Sequence, residues 1–184
     1  MYSDFTSLST TVSKNTPYSI SITPRYVSAG TNNPVGYAVW IDYNRDGDFT
    51  DSGELVFSQT PITGANTVSG TINIPSNIIS GNARMRVSMK FNDIPDPCES
   101  FDFGEVEDYT VNLFNGLLYS NSAWTPSAPN GTTNTEDIMI LDGIYNANTN
   151  IIVNSVIVNT GAEISIDKAN AITVNGNITN NGEF

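Results

Sequence analysis

Arg84-Met85-Arg86-Val87-Ser88-Met89-Lys90-Phe91 decides the fold. Apolar and polar residues alternate strictly through it. Successive side chains of a strand point to opposite faces, so Met85, Val87, Met89 and Phe91 face one way and Arg84, Arg86, Ser88 and Lys90 the other. The same pattern recurs on both sides. Ser19 to Thr23 alternates until Pro24 stops it, and Val68 to Ile74 alternates until Pro75 does. Glu107 to Leu113 places Tyr109, Val111 and Leu113 on one face. Tyr37-Ala38-Val39-Trp40-Ile41 is apolar almost throughout, which predicts a central strand covered on both faces. Strands at this spacing, separated by Gly, Pro and Asn turns, predict an antiparallel β-sandwich over residues 1–114.

Beyond Phe114 the character changes. Leu117 to Asn134 is turn-rich, with Pro126, Pro129 and Gly131, and no proline follows Pro129. Short apolar triplets then recur: Ile138-Met139-Ile140, Ile151-Ile152-Val153 and Val156-Ile157-Val158. Ile164-Ser165-Ile166, Ile172-Thr173-Val174 and Ile178 follow, each closed within a few residues by Asn, Asp or Gly. This spacing predicts a short β-solenoid-like segment over residues 115–184, with asparagines stacked at the corners and the array left incomplete. A second antiparallel sandwich is the alternative. Either way the fold class is all-β.

Composition narrows function. The 184 residues carry a net charge of −12 and a sequence pI near 4.1. Such a surface repels phosphate backbones and suits divalent cations, so nucleic acid is not an expected partner. Only 14% of residues are charged, against roughly a quarter in typical soluble domains, and Thr, Ser, Asn and Gly fill the difference. There is no histidine, which removes the usual general base and zinc ligand, and with them the Ser-His-Asp triad. The single cysteine, Cys98, has no internal disulfide partner and no histidine to activate it. No apolar run approaches the roughly 20 residues of a membrane span, so membrane insertion is not expected. The opening Met-Tyr-Ser-Asp lacks a basic n-region and an apolar h-region, and the chain reads as a piece of something longer.

The sharpest local signal is Asp42-Tyr43-Asn44-Arg45-Asp46-Gly47-Asp48-Phe49-Thr50-Asp51-Ser52-Gly53-Glu54. Acidic or amide residues occupy loop positions 1, 3 and 5, with glycine at 6, as in the first half of a helix–loop–helix calcium loop. Oxygens two residues apart on a curling loop converge on one point, and Ca²⁺ takes about six to eight of them. The second half departs from that pattern: position 12 is Gly53, Glu54 comes one residue late, and a strand leads into the loop. The expected ligands are the side chains of Asp42, Asn44 and Asp46, the carbonyl of Asp48, and a closing carboxylate from Glu54 in preference to Asp51. A metal-free Asp/Asn/Gly turn is the alternative.

A second cluster, Gly104-Glu105-Val106-Glu107-Asp108-Tyr109, packs three carboxylates into four residues, which calls for a nearby positive charge. Arg84 and Arg86 are the obvious sources, and a cation is another. Paired carboxylates also occur in glycosidases, but no aromatic-lined cleft is legible here.

These motifs carry a resemblance. Tyr2 to Thr6, Trp40 to Glu54, Arg84 to Lys90, Cys98-Glu99 and Gly104 to Tyr109 together resemble the GEVED domain of secreted and surface proteins of Bacteroidetes, over residues 2 to about 114. The resemblance implies a β-rich accessory module of a large exported protein, of a kind that often carries a type IX secretion signal. Family members usually begin upstream with a cysteine-containing segment that this chain lacks, which leaves Cys98 without that partner. The expected function is therefore a non-enzymatic, calcium-binding structural or adhesive module, secreted or on the cell surface, whose partner is a surface glycan or another surface protein. A carbohydrate-binding accessory module is the runner-up, with Tyr37, Trp40, Tyr43 and Phe49 as candidate stacking surfaces, although alternation places most of them in the core.

Overall fold

Tyr37, Ala38, Val39, Trp40 and Ile41 are all buried, as an apolar strand covered on both faces requires. The computed structural model describes residues 1–25, 33–64 and 66–184. Among the described residues there is no helix. The chain is all-β. It divides into two compact units: Met1–Thr11, Pro17–Ile74 and Ile78–Leu113 form the first, and Val12–Thr16, Pro75–Asn77 and Phe114–Phe184 the second.

The first unit is built on β1 (Tyr2–Ser13), β2 (Pro17–Ile22), β3 (Pro34–Ile41), β4 (Leu55–Thr63), β5 (Val68–Asn73), β6 (Gly81–Phe91) and β7 (Gly104–Phe114). Five of these make one sheet in the order β1-β7-β6-β3-β4, and β2 and β5 pair antiparallel as a separate ribbon. Pairing of β3 with β4 and β6, and of β6 with β7, is antiparallel. On one face of the sheet, Val35, Tyr37, Phe57, Ile62 and Met89 pack with Ile22 and Val68 of the ribbon, giving two layers. The other face carries Ala38 and Trp40, covered by Phe49 and Ile94 from loops. Ser88, expected among the outward polar residues of β6, is consequently buried. Two strands of this unit were not legible in the sequence. β1, Ser/Thr-rich and largely exposed, is at the edge beside β7, and β4 is at the opposite edge beside β3.

The second unit contains β8 (Leu117–Ser120), β9 (Ala123–Thr125), β10 (Ile138–Ile140), β11 (Gly143–Ala147), β12 (Ile151–Val153), β13 (Val156–Val158), β14 (Ala162–Ile166), β15 (Ile172–Val174) and β16 (Ile178–Asn180). A hairpin, β8–β9, occupies part of the stretch expected to be turn-rich. All other pairing in this unit is parallel: β8, β10, β13 and β16 stack in one sheet, β11 on β14 in a second, and β12 on β15 in a third. Parallel pairing replaces the antiparallel alternative. Each apolar triplet turns its two outer residues inward, so Ile138, Ile140, Ile151, Val153, Val156 and Val158 form one core with Ala147, Ala162 and Ile164. Two of the corner asparagines bond to residues of other types. Asn154 Nδ2 donates to Asp137 Oδ1 at 2.7 Å, and Asn150 Oδ1 accepts from Ala171 N at 2.8 Å.

Candidate functional site

The loop between β3 and β4 is shaped by its own side chains. Asn44 Oδ1 accepts from Asp46 N at 3.0 Å, Asp46 Oδ1 from Asp48 N at 3.1 Å, and Asp48 Oδ1 from Thr50 N at 2.8 Å. Each bond spans two residues and mimics a backbone turn, so the repeated acid-or-amide spacing itself curls the chain. Arg45 and Gly47 sit in the left-handed region, with φ of 63° and 95°. Glycine takes that conformation without cost, and Arg45 is held there because Asp42 Oδ1 accepts its N–H at 2.6 Å. Asp42 Oδ2 also accepts from Gly47 N at 3.2 Å.

This curl brings three of the expected residues together, Asp48 by its carboxylate and not by the carbonyl that the spacing suggested. Carboxylate oxygens of Asp46, Asp48 and Asp51, all exposed, lie within 4.8 Å of one another. Asn44 joins them: its Nδ2 donates to Asp46 Oδ2 at 2.9 Å and to Asp51 Oδ2 at 2.7 Å. The hydrogen bonds from Thr50 hold the Asp48 carboxyl below its ordinary range, so it stays ionised. Asp42 and Glu54 are placed differently. Both are buried, Asp42 as the turn brace just described and Glu54 with 2% exposure. Glu54 Oε1 reaches back to accept from Tyr43 N at 3.0 Å, closing the neck of the loop. Its Oε2 is buried with no hydrogen-bond partner among the described residues. Burial raises the Glu54 carboxyl above its ordinary range, against the hydrogen bonds from Tyr43 and Asp51. Burial, with the Glu54 charge adding to it, pushes the Tyr43 phenol up to about 12. The expectation put Glu54 ahead of Asp51 as the closing ligand; the structure instead groups Asp51 with Asp46 and Asp48.

The arrangement fits a hard cation. Five carboxylates share the loop with one arginine, whose Nη1 is turned away to Ser80 O at 3.3 Å. Three of the carboxylates converge, and another carries an orphaned buried oxygen. All-oxygen donors at a solvent-facing rim suit Ca²⁺ better than a transition metal.

The second cluster resolves into an ion pair. In the β6–β7 register Arg86 stands opposite Asp108. Arg86 Nε donates to Asp108 Oδ1 and Nη2 to Oδ2, each at 2.8 Å. The Asp108 side chain has 0% exposure and that of Arg86 17%. Tyr2 OH adds a bond to Asp108 Oδ2 at 3.1 Å, and Arg84 Nη1 lies 3.9 Å from it. The hydrogen bonds to Asp108 raise the Arg86 pKa further. Glu105 and Glu107, one residue out of phase, are not part of this pair. Glu107 Oε2 accepts from Tyr109 OH at 2.8 Å, and burial with the Glu107 contact pushes that phenol up to about 12. Glu105 lines an open groove of about 680 Å³ with Val35, Met89, Phe91 and Phe103.

Sequence reasoning named Phe49 only as a stacking candidate and gave Tyr2 no part in these sites. Phe49 is buried against Ala38 and Trp40, and the Arg86 guanidinium sits 5.0 Å from its ring centroid. A large aromatic in an otherwise polar loop was the available signal. Of the candidate stacking residues, Tyr37, Trp40 and Phe49 are buried and Tyr43 is half-buried with its hydroxyl inside.

A family model described as the GEVED domain matches residues 36–112. No curated protein and no solved structure matches the chain. The matched stretch runs from Gly36 in β3 to Asn112 in β7 and so contains the acidic loop, Arg86 and Asp108. Residues 36–112 of this chain are therefore a GEVED domain.

Proposed function

We propose that the protein is a non-enzymatic, calcium-binding structural or adhesive module of an exported cell-surface protein, with the ion bound by the loop at 42–54. The observation that carries this reading is the convergence of the Asp46, Asp48 and Asp51 carboxylates within 4.8 Å. Like charges held that close repel unless a cation or a donor lies between them. Here the Asn44 amide serves two of the three. Asp46, Asp48 and Asp51 would bind the ion with Asn44, while Asp42 and Glu54 hold the loop's curl and neck. An acidic surface, an all-β frame and the absence of histidine from the sequence agree with a stiff extracellular module. The carbohydrate-binding alternative loses its main support, because three of its four aromatics are buried in the core.

Calcium titration by calorimetry with parallel melting curves tests the proposal. A ligand that binds only the folded state at 100 times its Kd adds about 2.7 kcal/mol. For a domain of this size that is a rise of roughly 10 °C or more in Tm, reversed by chelator. Magnesium should do much less, because it demands near-octahedral order. Identical melting curves in calcium and chelator would falsify the reading.

A further inference from the structure

The acidic loop is packed against a second irregular segment, 92–103, which joins β6 to β7. Three connections tie that segment to the sheet face beneath it. Lys90 of β6 holds both of its flanks, with Nζ 3.1 Å from Asp93 Oδ2 and 2.8 Å from Glu99 Oε1. Arg86 Nη1 donates to Pro97 O at 2.8 Å. Ile94 packs into the cluster of Ala38, Trp40 and Phe49. Phe49 belongs to the acidic loop, and Arg86 lies over its ring at 5.0 Å while gripping Asp108 bidentately. One guanidinium therefore touches the loop, the 92–103 segment and the buried carboxylate of the sheet. One aromatic ring touches both the guanidinium and the cluster that holds Ile94.

From this we infer that the acidic loop and the 92–103 segment order as one cooperative unit, joined through Phe49 and Arg86, so that calcium bound at the loop tightens 92–103. The inference rests on the calcium reading for its trigger, but the joint itself is made of residues that bind no metal. Phe49 lies between Asp48 and Asp51, so any restriction of those two restricts the backbone that aims its ring. A ring that stays seated keeps Ile94 covered and Arg86 oriented toward Pro97 O. Linkage then makes the effect reciprocal: whatever factor calcium adds to the order of 92–103, loosening 92–103 subtracts from calcium affinity.

The test is hydrogen exchange read by mass spectrometry on the full chain, with excess calcium and with chelator. Calcium should slow exchange across 92–103 by about fivefold or more, the lower end of typical couplings, while β11 in the second unit is unaffected. Ile94→Ala, which touches no carboxylate of the loop, should weaken calcium in calorimetry by a similar factor. A metal-free arm isolates the joint: in chelator, Phe49→Leu should speed exchange of 92–103 while the buried strand β3 keeps its protection. If calcium gives a binding heat but leaves 92–103 unchanged, the coupling is wrong and the calcium reading stands. If calcium gives no heat but Phe49→Leu still loosens 92–103, the calcium reading fails and takes the calcium trigger with it. If Phe49→Leu leaves 92–103 as slow as in the parent, the cooperative unit does not exist.

Discussion

Arg86→Met would remove the only arginine among the described residues in hydrogen-bond contact with Asp108 and keep most of the apolar stem. Asp108 would remain at 0% exposure with Tyr2 OH at 3.1 Å, and Arg84 at 3.9 Å as its nearest cation. A buried carboxylate stripped of its partner costs about 3–5 kcal/mol. Loss of the Arg86–Pro97 carbonyl bond adds about 1 kcal/mol, and a shift of Arg84 toward Asp108 would recover part of the total. The expected loss is therefore about 3–5 kcal/mol, read as a lower urea midpoint at unchanged slope, or a fall of roughly 15–25 °C in Tm. The double variant Arg86→Met/Asp108→Leu should regain much of that stability, because replacing both members of a buried pair avoids the unpaired charge. A single variant within about 1 kcal/mol of the parent would refute the argument, since that is how an exposed pair behaves. A double variant no better than the single would show that the cost came from packing.

Three further outcomes are expected. Asp51→Ala should weaken calcium by about thirtyfold, the equivalent of about 2 kcal/mol, and by more than Glu54→Ala does; calorimetry giving the opposite order would return Glu54 to the ligand set. In chelator, the pH dependence of Glu54 can be isolated as the Tm difference between the parent and Glu54→Gln. Its carboxyl is raised by burial from an ordinary value of 4.5, so its contribution is fully present below that pH and is lost as pH rises through the raised value. The difference should accordingly move against the parent between mildly acidic and neutral pH, and a move in its favour would contradict the assignment. Gly104→Ala should cost several kcal/mol in urea unfolding. Its φ is 149°, and an added Cβ would meet the Met89 carbonyl and the Phe101 ring, so a variant as stable as the parent would show that both can yield.

Period-two alternation determined the all-β class and the places of β2, β5, β6 and β7, because an apolar face must be buried and a one-residue slip would expose it, and an unbroken apolar run marked β3. The apolar triplets marked β10, β12 and β13, and the shorter alternations marked β14 and β15. β1 and β4 escaped because edge strands bury little and tolerate Ser and Thr on both faces. The acidic loop was also legible, since bonds from residue i to i+2 are local and follow from residue type and spacing. What the sequence did not contain was which carboxylates would meet. Asp42 and Glu54 stand at ligand positions in the sequence, and in the folded loop their carboxylates accept from the Arg45, Gly47 and Tyr43 N–H groups. Nor could it say that Arg86 answers Asp108 and leaves Glu105 and Glu107 to other surroundings. That choice is a cross-strand register, set when β6 and β7 align their buried faces along their whole length, and no local pattern encodes it.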